Sequence, residues 1–313
     1  MKALLIRYGT FFAGCLLFVF FALFAPNFLS SANLLNIVKH ISFLAILALG
    51  FSLALTAAEL DLSFANVCSV ATVSCGWMVH NGHPVWMAVG TGLGVGLAAG
   101  ILNGILVTWV KVPSLIATLA TASIANGFSF MITQGVSFVG DWNPDFLWIG
   151  RGQIASVPTL IVWLVLLTLA TWFLLKATPT GLRLLTVGQS AEAARLAGIP
   201  VRRIKLLGLA LSGLAAGIAA VLLTSNLASA APNSAGDFML TAIAAVLLGM
   251  TMFEPGRPNV PGTLTGALII GMLGNGLVLM GAQYYVQDIA LGLIIVASVA
   301  VSSSFLKNAA LKL

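Results

Sequence analysis

Charge is scarce in this chain. Only 7% of its 313 residues are Asp, Glu, Lys or Arg, against about a quarter in an average soluble domain. With 60% hydrophobic residues and a mean hydropathy of +1.08, that shortage excludes a soluble globular domain and a disordered chain alike. Cysteine is also rare. Cys15, Cys68 and Cys75 all lie in apolar runs, which marks them as small core residues and not as a disulfide or thiolate metal set. The three histidines, His40, His80 and His83, show no ligand spacing of the HExxH kind, so no metal site is expected. There is no phosphate-cradling P-loop, no TVGYG-like filter, no arginine ladder and no chain of buried acids and histidines. These absences exclude ATP hydrolysis on this chain, a potassium pore, a voltage sensor and a proton relay. No catalytic constellation is present, so neither an enzyme nor a cofactor on this chain is expected. Fourteen basic residues against eight acidic give a net charge of +6. That surplus reads as basic cytoplasmic loops of a membrane protein, with no nucleic-acid partner.

What the chain has in abundance is apolar runs of membrane length. A bilayer needs about 20 mostly apolar residues per helix. Ten runs qualify, near 8–25, 38–57, 63–80, 84–110, 113–133, 157–177, 204–225, 237–252, 260–281 and 284–305. The first follows Lys2 and Arg7 but lacks a small-residue cleavage site, so it is expected to stay as a helix. With the N-terminus inside and ten alternating spans, twelve basic residues fall on the cytoplasmic side. Only Lys39 and Arg151 fall outside. This bias predicts an all-α polytopic membrane protein with about ten transmembrane helices and both termini cytoplasmic. Residues 1–313 then form a single transmembrane domain.

Small residues at four-residue spacing, Gly96, Gly100 and Gly104, Gly213 and Gly217, Gly262 and Gly266, predict close helix packing. "GILNGILVTWV" near 100–110 is similar to "GMLGNGLVLMG" near 271–281, a hint of the internal repeats common in transporters. Ionisable residues inside the apolar region are few. Glu59 and Asp61, in "TAAELDLSF", either line a substrate path or gate, or sit at an interface where Asp61 caps the next helix. Neutral polar residues are commoner: Asn103, Asn126, Gln134, Asn226, Thr241, Asn275, Gln283 and Gln287. Such groups suit a polyol or sugar better than an ion, and each also serves as helix–helix glue. Glu59, Asn103, Asn126 and Asn275 are the candidate translocation-path residues.

One polar island interrupts this pattern. Five of the fourteen basic residues lie in "GLRLLTVGQSAEAARLAGIPVRRIK", Gly181 to Lys205. Residues 186–200 read as a short helix. Ser190 is a good N-cap, Glu192 and Arg195 suit the helix dipole, and Gly198 with Pro200 stops it. About two turns are marginal alone, so the helix needs a partner surface. It is nearly neutral with small side chains, which fits a protein groove better than lipid headgroups.

The stretch from Gly181, with Arg183, Gly188, Ser190, Ala193, Ala194, Gly198, Ile199, Ser212, Gly213 and Leu214, resembles the permeases of bacterial ABC importers, in the branch handling ribose and related monosaccharides. The resemblance extends to "LDLSFANV" near 60–67, "VPSLIATLAT" at 112–121 and "GTLTGALIIGMLGNGLVLMG" at 262–281, essentially the whole chain. It implies a permease in the bacterial inner membrane, paired with a second permease copy or paralogue. The implied partners are an ABC ATPase subunit that binds the ATP and a periplasmic sugar-binding protein. It implies that loop 178–203 is a coupling element docking on the ATPase, through Arg183, Gly188, Ser190, Glu192, Arg195 and Gly198. The outer loops near 134–156 and 226–236 would meet the binding protein. Two stretches depart from the family pattern. Glu59 stands within a segment the family usually builds as Gly-Gly-x-Asp-Leu-Ser, and "GMTMFEPGRPNVPG" at 249–262 replaces a glycine-rich loop. A stand-alone secondary transporter for a small polar solute is the alternative, against which the sparse intramembrane carboxylates speak.

Overall fold

The computed structural model describes residues 2–310. Among them the chain forms thirteen helices and one short hairpin: α1 (Lys2–Phe24), α2 (Ser31–Thr56), α3 (Phe64–His80), α4 (Val85–Thr108), α5 (Ser114–Thr133), α6 (Pro144–Arg151), β1 (Gln153–Ile154), β2 (Val157–Pro158), α7 (Thr159–Ala177), α8 (Pro179–Gln189), α9 (Ala191–Leu196), α10 (Val201–Leu227), α11 (Phe238–Gly249), α12 (Val260–Leu279) and α13 (Tyr284–Ala310). The all-α expectation holds. The ten apolar runs correspond in order to α1 to α5, α7 and α10 to α13. Six of these, α2, α4, α5, α7, α10 and α12, are long and apolar enough to cross a membrane. Gly9–Phe24, Phe238–Gly249 and Tyr285–Ala300 are apolar but shorter, and α3 has 17 residues.

The chain divides into two compact units. One runs from Leu49 to Met239. Its centre is α3, buried along most of its length, with α4 and α10 packed together at backbone distance. A Cβ on Gly96 would collide with the Gly213 carbonyl oxygen, and one on Gly100 with the Leu209 carbonyl. The small-residue motifs predicted close packing, and here both partners of the seam are seen. In lipid, contact of this kind replaces the hydrophobic drive that water would supply.

The stretch at 134–156 contains ordered structure beyond a connecting loop. Asn143 caps α6 by accepting from the Asp145 amide at 2.8 Å, and Pro144 opens it, a favoured pairing at helix starts. Trp142 and Phe146 are buried with Cys75, Val79, Val221 and Ala230. The Ser225 hydroxyl accepts from the Gly150 amide at 2.7 Å and donates to the Phe146 carbonyl at 2.7 Å. Phe138 pairs with Ala230 across an antiparallel bridge. The stretches near 134–156 and 226–236 are thus joined.

The other unit holds the residues up to Ala48 together with those from Leu240 onward. Here α11 and α12 approach closely, with Gly266 against the Ala245 carbonyl and Gly249 against Gly262. Asn259 ties the connection between them. Its Oδ1 accepts from the Gly262 amide at 2.8 Å, and its Nδ2 reaches the carbonyls of Gly249, Met252 and Arg257. One asparagine thus holds both ends of the segment.

Candidate functional site

The polar island folds as α8, α9 and the start of α10, where the sequence predicted one helix over 186–200. Ser190 adopts an extended backbone, ends α8 and caps α9 by accepting from the Ala193 amide at 3.1 Å. Residues 186–189 belong to α8 for that reason. Gly198 has φ +77°, the left-handed geometry of a C-terminal glycine stop. α8 is itself capped by Thr178, which accepts from the Gly181 amide at 3.2 Å, with Pro179 next.

Both α8 and α9 are pinned from one side. Leu184, Val187 and Ala194 are buried, whereas Arg183, Glu192, Arg195 and Gly198 are exposed. Leu196 is 83% exposed and Leu182 65% exposed. The Glu192–Arg195 pair spans 3.5 Å with both side chains about three-quarters in solvent, so it contributes little to stability and leaves both charges open to a partner. Gly188 faces inward, where a Cβ would strike the Thr56 carbonyl oxygen.

That contact leads to residues 57–63, a short hub between α2 and α3. Glu59 is buried, and Lys205 Nζ donates to its Oε1 at 2.5 Å. Asp61 Oδ1 accepts from the Ser63 amide at 2.9 Å and from the Ser63 hydroxyl at 2.6 Å. Asp61 thus closes a turn just ahead of α3, whose N-cap position is Ser63. Asn103 Nδ2 donates to Ser63 Oγ at 2.8 Å, and Thr121 Oγ1 donates to Asn103 Oδ1 at 2.6 Å. The Thr118 hydroxyl donates to the Leu60 carbonyl at 3.1 Å and accepts from the Leu62 amide at 3.1 Å. Burial pushes the Asp61 carboxyl above its ordinary value, against the Ser63 hydrogen bonds that pull it down. Its Oδ2 and the nearby Ser212 Oγ are buried without a hydrogen bond of good geometry.

Glu59 and Asn103, two of the four path candidates, therefore belong to one buried polar cluster. Asn126 is half-buried on α5. Asn275 lies on α12 in the other unit, in a reciprocal amide pair with Asn33 at 2.9 and 3.0 Å. Sequence reasoning missed Lys205, Thr118, Thr121 and Asn33 as partners. The available signal was generic: a buried polar group needs a partner, but nothing local says which.

Fold and site together define a polytopic membrane protein in which one short, exposed helical element is wired to a buried hub. Among the described residues no group of three or more His, Cys, Asp and Glu could hold a metal ion. The family described as "branched-chain amino acid transport system / permease component" matches residues 33–299, and the chain belongs to it. Ribose import permease protein RbsC of Bacillus subtilis (strain 168) is 36% identical over 294 residues, 94% of this chain and 91% of that protein. RbsC of Haemophilus influenzae is 34% identical, with 94% and 92% covered. L-arabinose transport system permease protein AraH of Escherichia coli (strain K12) is 34% identical, with 94% and 89% covered. The chain is a permease subunit of an ABC importer, a transport component and not an enzyme.

Proposed function

We propose that this permease carries a monosaccharide or related polyol across a bacterial inner membrane, driven by a partner ATPase that docks on α8 and α9. The observation that carries the docking claim is α9, a six-residue capped helix with only Ala194 buried. So short a helix is marginal without a partner. Exposed Leu196, the one large apolar side chain of α9, supplies an apolar anchor, and Arg183, Glu192 and Arg195 supply the polar rim. The sugar class rests on the relatives named for ribose and arabinose and on the neutral polar side chains within the apolar helices. In this reading ten helices span the membrane, both termini and the coupling loop 178–203 are cytoplasmic, and residues 1–313 act as one permease domain beside a second copy or paralogue. The joined surface of 134–156 and 226–236 receives a periplasmic sugar-binding protein.

The hub gives the coupling its route. Movement of α8 bears on Thr56 through Gly188. Movement of the start of α10 bears on Glu59 through Lys205. Both act on 57–63, which Asn103 and Thr118 tie to α4 and α5. Alternating access then follows from a two-state rearrangement of packed helices.

The test is purification from the native membrane, then reconstitution. An ATPase that co-purifies with the intact chain and is lost on deleting 191–196, with sugar uptake that requires ATP, is the expected result. Uptake driven by an ion gradient with no ATPase present would return the chain to the secondary-transporter reading.

A further inference from the structure

A groove of about 270 Å³ lies within the unit that contains α12. Asn36 and His40 from α2, Thr241 from α11, Asn275 from α12 and Gln287 from α13 converge on it, over a floor that includes Gly274. Three of these, Thr241, Asn275 and Gln287, are among the neutral polar residues that stand out in the sequence. They come from three separate helices, and α2 adds two more. On helices this apolar, five polar side chains around one groove are costly if lipid fills it, and such residues ordinarily face water, one another or a substrate.

The groove's chemistry narrows the occupant. No carboxylate, lysine or arginine lines it, so neither a cation nor an anion finds a counter-charge there. Amides, a hydroxyl and an imidazole each offer both donor and acceptor capacity. A vicinal polyol, whose hydroxyls also donate and accept, is the complement. The Asn275 amide is held in place by its reciprocal bonds to Asn33, which leave it one further N–H to offer. Gln287 lies across Gly274, where an added Cβ would meet Nε2 at 3.0 Å, so the glycine makes room for that amide. The size sits just below the ~300 Å³ lower end of pockets for drug-sized ligands, which suits one small sugar. A second groove in this unit, along Phe11, Phe18, Leu268 and Met272, is almost wholly apolar and matches an acyl chain instead.

We propose that the groove of Asn36, His40, Thr241, Asn275 and Gln287 is a polyol-binding subsite of the permease itself, separate from recognition by any binding protein. This deepens the sugar-permease reading and rests on it for the direction of traffic, while the binding claim stands on the groove alone.

The experiment has two readouts on the full-length permease in lipid nanodiscs. Saturation-transfer NMR with D-ribose and with xylitol reports binding. ATP-driven uptake of labelled ribose by the reconstituted complex reports transport. The variants are Gln287→Leu and the isosteric Thr241→Val, the second deciding the matter if the first does not fold. Loss of a ligand hydrogen bond at a polar site predicts a dissociation constant, from saturation-transfer titration, raised by up to about tenfold, with uptake lowered in parallel and ATPase docking intact. Saturation transfer from neither polyol to the wild-type permease overturns the subsite. Wild-type saturation transfer that both folded variants retain in full also overturns it. A permease that binds polyols through this groove but shows no ATP-driven sugar uptake upholds the subsite and removes the proposed sugar cargo, so the two failures are told apart.

Discussion

Glu59 shows how a single buried acid is compensated from a distant helix. It brings a carboxylate into the segment 57–63, and Lys205 meets it from α10. Removing one member of a fully buried pair costs roughly 3–5 kcal/mol. Lys205 keeps about a quarter of its side-chain surface, so about 1–3 kcal/mol is expected here after solvent screening. Glu59→Ala should therefore lower the thermal midpoint of the purified protein. The double change Glu59→Leu with Lys205→Met should recover most of the loss, because apolar replacement of both partners leaves no orphaned charge. A double change as destabilised as Glu59→Ala would show that the pair's geometry, and not charge compensation, matters. That an acid stands at the edge of the apolar run was legible in "AAELDLS". The partner itself lies 146 positions away, and only folding names it.

The seam between α4 and α10 and the cap of α9 make opposite demands on their elements. Gly96 faces a backbone carbonyl, which cannot swing aside as a side chain can. Gly96→Ala should force the two helices apart and cost about 2 kcal/mol or more, in the range of overpacked cores. Gly90, which has nothing within 4 Å of an added Cβ, should accept alanine without loss. Thermal midpoints of the two variants in detergent check the contrast. At the island, Ser190→Ala removes the bond to the Ala193 amide, worth typically ~1 kcal/mol. Faster hydrogen exchange at Ala193 is expected, and ATPase should co-purify in smaller amount while the seam stays unaffected. Exchange at Ala193 that matches the wild type would remove the cap from the account of docking.

At the scale of the whole molecule the topology makes its own prediction. With Cys15→Ser to remove the exposed native thiol, Arg195→Cys should react with a membrane-impermeant maleimide only from the cytoplasmic side. Asp145→Cys should react only from the outside. Cys68 and Cys75 are buried and should stay silent in both. Labelling of both positions from one side would break the ten-span count. Exchanging the island's charges, Glu192→Arg with Arg195→Glu, should abolish uptake while leaving the labelling of Asp145→Cys from outside unchanged, since neither side chain supports the unit beneath it. Unimpaired uptake would sink the docking role of these charges.

The order of helices, the apolar runs and the capped island were all written in the chain, because each depends on residues within a few turns of one another. Hydropathy is summed over a local window, and Ser190 caps an amide three residues away. Even the break at Ser190 and the ordered stretch at 134–156 had local causes, a serine with extended backbone and an Asn143–Pro144 start. What folding alone decided is which polar groups meet. Asn103 joins Ser63, Asn275 pairs with Asn33, and Asn36, His40, Thr241 and Gln287 share one groove. Each of those encounters depends on the rotation and depth of separate helices. A short window of sequence holds neither, and the packing of the whole unit sets both.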